Sequence, residues 1–289
     1  MMEKYIKGAL VANAATLGFH WIYDTEYLQK LSKKQSLLFK KQSKKHFDQA
    51  KPSYFVYPKA KVGSFTTQGM MLKWLYEKMT THPNINKDDY EELIFQYIKP
   101  GGSYVGYIES YGKALVIRKL AKDINVEYHE KILMDDHLVG FIPYLVVKEL
   151  ELHHEKAWEL AKAFTTLEDY PLFYQMFDYI LENIHEKPLK IILAEAIRYA
   201  PSSFHEKLTA AIQMDDTPLF ISKYAGIACH LPQSIPLIYH MLYHSKSYED
   251  IIHWNAKLGG ASSDRGLLLG AIMAQISPIP ESWVGKTKK

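Results

Sequence analysis

Apolar residues recur at three- and four-residue steps along nearly the whole chain, the spacing of an amphipathic helix and not of a strand. From Thr66 to Met79, the positions Met70, Met71, Trp74, Leu75 and Met79 share one face. Asn86 is placed to cap the next helix, whose stripe is Tyr90, Leu93, Ile94, Tyr97 and Ile98. The same period predicts helices over 106–120, 136–150, 156–164, 172–184, 189–199, 208–214, 235–243 and 248–258. Asp215-Asp216-Thr217-Pro218 reads as a further helix start, with an acidic cap and proline in the first turn. Sustained alternation is absent, and the main irregular stretch, 40–63, is broken by Pro52 and Pro58. No fixed repeat or low-complexity linker divides the chain, so the expectation is one all-α domain over 1–289, with about a dozen helices.

The N-terminal stretch sets Lys4 and Lys7 ahead of an alanine-rich run, superficially like a signal peptide. Asn13, Thr16 and His20 interrupt that run and no small-residue cleavage site follows it, so it is read as a core helix. The longest later apolar run, 266–273, is far short of the ~18 residues that span a bilayer. No membrane association is expected. The single cysteine, Cys229, excludes an intrachain disulfide and is read as a small buried apolar residue; a cytoplasmic location is the expectation.

Charge adds one feature. Net charge is only +3, yet ten lysines against a single acid, Asp48, lie within the irregular segment 30–61, which is read as a lysine-rich insertion within the domain. A solvated surface is the favoured reading of such a run. The interleaved Phe39, Phe47, Tyr54, Phe55 and Tyr57 keep open a second one, a basic lid over a phosphate-bearing small molecule, with Lys40, Lys41, Lys44 and Lys45 as its charges. Nucleic acid is not the expected partner.

The densest chemistry lies near the C-terminus, in Gly259-Gly260-Ala261-Ser262-Ser263-Asp264-Arg265-Gly266. A Gly-Gly turn that feeds short polar residues onto an apolar helix lets side chains and free backbone N–H groups converge on a ligand. Asp264 is read as a helix cap before a metal ligand, and Arg265 as a partner for Asp264 or for a ligand phosphate. Among the histidines, His153 and His154 are expected to point apart on a helix, and the i,i+4 pair His240 and His244 lacks a third ligand. No phosphate-binding loop, dinucleotide fingerprint, nucleophile elbow or zinc cluster stands out.

With its Pro-Glu-Ser-Trp ending at Pro280 to Trp283, this C-terminal run resembles the last motif of the ADP-ribosylglycohydrolase family, and within it the J-crystallin branch. The stretch from Gly8 to Asp24, Gly63-Ser64-Phe65-Thr66-Thr67-Gln68-Gly69-Met70, Gly106-Tyr107-Ile108-Glu109-Ser110, Asp135-Asp136-His137 and Cys229-His230-Leu231-Pro232 fall in the order of that branch. The resemblance runs from about residue 6 to residue 283 and implies a compact orthogonal multi-helix bundle with its motifs around one cleft.

For active members the resemblance implies a pair of Mg2+ ions held by Asp and Thr oxygens. Here Asn13, Thr67 and Ala261 stand at the matched Asp positions, so no metal ligand and no cofactor is expected. The ligand-binding set carried over is Asn13, Thr66, Thr67, Gln68, Tyr107, Ser262, Ser263, Asp264 and Arg265, with Glu109, Asp135 and Asp136 as the carboxylates available for catalysis. Three functions remain open. One is a family member whose metal-dependent hydrolysis is weakened or lost, the second a hydrolase of ADP-ribosyl or related glycosyl bonds through a rearranged site, and the third a non-catalytic binder of a nucleotide-like anion.

Overall fold

The computed structural model describes residues 4–127 and 136–287. Asp135 lies outside the described residues. Among those described, the chain is all helical apart from two isolated bridges. The first part holds α1 (Lys4–Thr16), α2 (Thr25–Ser32), α3 (Lys44–Gln49), α4 (Thr67–Thr81), α5 (Lys87–Ile98) and α6 (Ser110–Asp123). The middle holds α7 (Phe141–Glu149), α8 (His154–Ala161), α9 (Tyr170–Asn183), α10 (Leu189–Ala196) and α11 (His205–Gln213). Then come α12 (Thr217–Tyr224), α13 (Leu231–His244), α14 (Tyr248–Leu258), α15 (Ser262–Ile276) and α16 (Glu281–Val284). None is long and apolar enough to cross a membrane.

The helices α1 and α15 run together through the centre, with α4, α7 and α14 packed around them. Their sequences explain the place: α1 is buried from Gly8 to Thr16 and α15 from Ser262 to Ala274, so neither has a solvent face to supply with charge. Glycine sets their separation. A Cβ on Gly8 would lie 2.4 Å from the Gly270 carbonyl oxygen, and one on Gly270 would lie 2.3 Å from the Gly8 carbonyl oxygen. The two backbones therefore touch, and the Tyr248 hydroxyl of α14 donates to that same Gly8 oxygen at 2.6 Å.

Several elements differ from the sequence expectation for physical reasons. The helix predicted from 106 starts at Ser110, because the Tyr107 carbonyl accepts from the Thr67 hydroxyl and is held out of a helical ladder. The stretch 136–150 divides into a 3-10 turn, Leu138–Gly140, and α7. His153 is the extended residue before α8 and not a member of it, so its ring tilts onto that of His154 at 4.4 Å instead of pointing away. Asn86 caps α5 in a reciprocal box with Asp89, and Asp216 caps α12 through the Leu219 N–H.

The lysine-rich segment is pinned and not loose. Leu37, Leu38, Phe39, Phe47 and Tyr57 are buried, and Phe39 N–H donates to the Ala15 carbonyl at 2.7 Å. Gln42 donates to the carbonyls of Leu17 and His20 and accepts from Tyr57 N–H, while the lysines face outward.

Gly270→Ala tests the central contact. A methyl directed at backbone must separate the two helices, so a loss of roughly 1–3 kcal/mol or more is expected in urea unfolding. An unaltered midpoint would show that the helices can part without penalty.

Candidate functional site

The C-terminal ends of α1 and α14 and the N-terminal ends of α4 and α15 meet at one cluster of polar side chains. The turn into α15 requires glycine. Gly259 and Gly260 have φ of 73° and 59°, and a Cβ on Gly260 would lie 2.0 Å from the Ile227 carbonyl oxygen. The turn is stitched to the segment after α1, with Trp21 N–H donating to Gly260 O at 2.8 Å and Gly260 N–H to Ile22 O at 2.6 Å. Trp21 itself is left-handed at φ 69°, strain that the two bonds maintain.

Arg265 belongs to this frame. Fully buried, it donates to Asn255 Oδ1 at 2.9 Å, Gly259 O at 2.8 Å and Ile227 O at 3.2 Å. Its bonds thus tie the turn to α14 and to the segment at Ile227.

Asn13, Thr66 and Asp264 form a direct hydrogen-bonded chain. Asn13 Nδ2 donates to Thr66 Oγ1 at 2.8 Å and to Ser263 O at 3.0 Å, while its Oδ1 accepts from Thr66 N–H at 3.0 Å. Thr66 Oγ1 donates to Asp264 Oδ1 at 3.0 Å. Asp264 is thus no cap. It lies within the first turn of α15, whose N-cap residue is Ala261, and its carboxylate crosses to α4. His20, not singled out by the sequence, completes the cluster: its Nδ1 accepts from Ser263 N–H at 3.2 Å, which puts the imidazole proton on Nε2, 3.5 Å from Asp264 Oδ2. Burial, and then the charge of Arg265, push His20 down to about 3, so the ring is neutral. Ser263 Oγ meets Thr16 Oγ1 at 3.2 Å, and Ser262 Oγ is buried without a hydrogen-bond partner.

Thr67 faces a wall of tyrosines. Its hydroxyl meets Tyr104 OH at 3.0 Å and Tyr57 OH at 3.3 Å, besides the bond to Tyr107 O. Those three tyrosines also line an open pocket of about 710 Å3, together with Phe65, Trp74 and Tyr97. Three cations, Lys59, Lys61 and Lys73, line it and no acid does. Lys40, Lys41, Lys44 and Lys45 are not among its residues, and of its three lysines Lys59 and Lys61 belong to the lysine-rich segment.

Glu109 is 2 % exposed and neither carboxylate oxygen has a hydrogen-bond partner; the amide atoms of Gln68 and the hydroxyl of Tyr111 are equally unpaired. Burial first, and then the charge of Asp264, hold Glu109 well above the carboxylate range. Tyr111 and Gln68 are near enough to temper that rise without forming a bond of good geometry. Asp136 is elsewhere engaged, its Oδ1 2.8 Å from His230 Nδ1. His240 uses both ring nitrogens, on Ala211 O and Thr217 Oγ1, each at 2.9 Å, so the His240/His244 pair holds no ligand site.

A pair of Mg2+ ions needs several hard, anionic oxygens. Among the matched positions Asn13 and Thr67 have their polar atoms engaged with protein, and Ala261 has none. The one carboxylate beside them, Asp264, directs its second oxygen at an imidazole N–H. A donor where a cation would require an acceptor does not fit a pair of Mg2+ ions.

Burial pushes the Asp264 carboxyl from 3.8 up to about 7, with Thr66 and Arg265 acting against the rise. Folding therefore favours the neutral acid: this contribution is complete below about pH 4 and is lost as pH rises toward 7. His20, pushed down, acts with the opposite sign in acid. Comparison with Asp264→Asn isolates the carboxyl, and the stability difference should move in the variant's favour between pH 5 and pH 8. A difference independent of pH would mean that Asp264 ionises at its ordinary value.

No protein-family model matches the chain, and no curated protein matches it. Among solved structures it is similar to one described as an "ADP-ribosylglycohydrolase-related protein complex", at 13% sequence identity, over 99% of this chain and 92% of that chain, with a TM-score of 0.62. Such low identity speaks to architecture alone. The chain has the all-α fold of an ADP-ribosylglycohydrolase.

Proposed function

We propose that this chain is an ADP-ribosylglycohydrolase-fold protein, akin to the J-crystallin branch, in which Mg2+-dependent hydrolysis is weakened or lost and binding of a phosphate-bearing, nucleotide-like molecule remains. The observation that carries this reading is the closed bond chain Asn13–Thr66–Asp264, with His20 Nε2 set against the remaining carboxylate oxygen. Asn13 and Thr66 satisfy one another and the inner oxygen of Asp264 where metal-dependent relatives of the resemblance would offer open oxygens, while the outer oxygen of Asp264 has no hydrogen-bond partner. The adjoining pocket supports the binding half, since Trp74 and Tyr97, stacked at 4.0 Å, and Tyr104 provide aromatic surface while Lys59, Lys61 and Lys73 provide positive charge.

Calorimetric titration tests both halves. Mg2+ and Mn2+ should give no tight binding, and two tightly bound ions would overturn the reading. ADP-ribose should bind in a salt-dependent manner without turnover, and Lys59→Gln with Lys61→Gln and Lys73→Gln should weaken it roughly tenfold or more at low salt. Equal affinity in the triple variant would remove the pocket from the proposal.

Glu109 favours a second reading. A buried, unpaired carboxyl whose ionisation is opposed by burial is suited to proton transfer in glycosyl transfer to water. Release of ADP-ribose from a modified protein, abolished in Glu109→Gln, would establish it. The pairing of Asp136 with His230 assigns that residue a positioning role, so Asp136→Asn should leave any such turnover within a few fold. Absence of turnover in the parent chain retires the second reading.

A further inference from the structure

Two loops far apart in sequence are joined backbone to backbone at one corner of the bundle. His137 and His230 form an isolated antiparallel bridge, with Leu138 N–H donating to Cys229 O at 3.2 Å and Leu231 N–H to Asp136 O at 2.8 Å. This zipper brings His137, Cys229 and His230 together so that one ligand atom of each lies within 4.8 Å of the others. His137 Nδ1 is 3.3 Å from Cys229 Sγ, near the ~3.5 Å edge of a tetrahedron built on zinc–nitrogen and zinc–sulfur bonds. The two imidazole rings stand edge to face at 5.0 Å.

We propose that His137, Cys229 and His230 form a Zn2+ site with its fourth position open to solvent. Two imidazoles and a thiol are borderline to soft donors, which select zinc over the hard cations Mg2+ and Ca2+. The surroundings are those of a metal ligand set. His230 Nδ1 is tied to Asp136 at 2.8 Å, which fixes its proton there and leaves Nε2 as a lone-pair donor, the carboxylate–histidine arrangement that orients metal-binding imidazoles. His230 keeps 29% of its side chain exposed, which gives an ion a route from solvent. Cys229 is a buried free thiol, and its S–H proton leaves to solvent as the zinc–sulfur bond forms.

The proposal is independent of the ADP-ribose reading, because none of the three ligands lines the lysine-bearing pocket. Co2+ is the probe, added to the reduced full chain. The parent should take up one Co2+ per chain with a thiolate-to-cobalt charge-transfer band and tetrahedral d–d absorption, both removed by Zn2+. Cys229→Ser should lose the charge-transfer band, and His137→Ala should weaken uptake by more than roughly 100-fold. Asp136→Asn, a part-exposed position whose loss leaves the core intact, should weaken zinc roughly 10- to 100-fold with metal-free urea stability unaltered. Absent uptake by the parent, a Co2+ spectrum without the thiolate band, or equal affinity in Asp136→Asn overturns the assignment.

Discussion

The contact on which the structure depends is the meeting of two helix backbones at Gly8 and Gly270. The polar cluster at the helix ends is attached to that pair. Asn13 stands one turn from the end of α1, Ser263 and Asp264 open α15, and the hydrogen bonds between them span 250 positions of sequence in 3.0 Å of space. Had either glycine carried a side chain, the helices would sit further apart and these short polar side chains could not reach one another. Close backbone packing is thus what converts two apolar helices into a polar site at their ends. The apolar frame does not need the polar end in return: Leu10, Met71, Trp74, Leu268 and Ile272 are buried by contacts that involve none of the cluster's hydrogen bonds.

Within that frame the polar groups fall into two kinds. Asn13, Thr66 and Arg265 are saturated by protein partners and behave as structure. Glu109, Gln68, Tyr111, Ser262 and the outer oxygen of Asp264 are buried and unpaired. Their proximity to the saturated group means that the electrostatic character of the region is set by two carboxyls whose ionisation the interior opposes, next to a histidine whose protonation it opposes as well. The cluster thus resists charge of either sign.

Much of the fold was legible because helical period and capping are local. The stripes of α5, α9 and α14, and the caps at Asn86 and Asp216, were readable from spacing alone. The start of α6 was not, since the bond that keeps Tyr107 extended comes from Thr67, 40 residues away. The same distinction governs the site. Asn13, Thr66 and Asp264 could be proposed through ordered motifs, whereas the role of His20 depends on a backbone N–H of Ser263, 243 residues distant. Asp264 looked like a cap because its residue type and position suit one, and only the tertiary position of Thr66 redirects it. For His137 and Cys229, 92 residues apart, the paired dipeptides Asp136-His137 and Cys229-His230 were the available signal, and no single-helix spacing rule detects them.

The lysine-rich segment has a consequence for the electrostatic field around the molecule. Its buried Phe39 and Phe47 and its bonds to Ala15, Leu17 and His20 hold the backbone against the bundle, so the outward cations form a fixed field and not a fluctuating cloud. Such a field gathers anions from beyond contact distance and biases their approach toward one face of the molecule. The field weakens as salt is added, whereas the buried aromatic contacts that hold the segment in place are not screened.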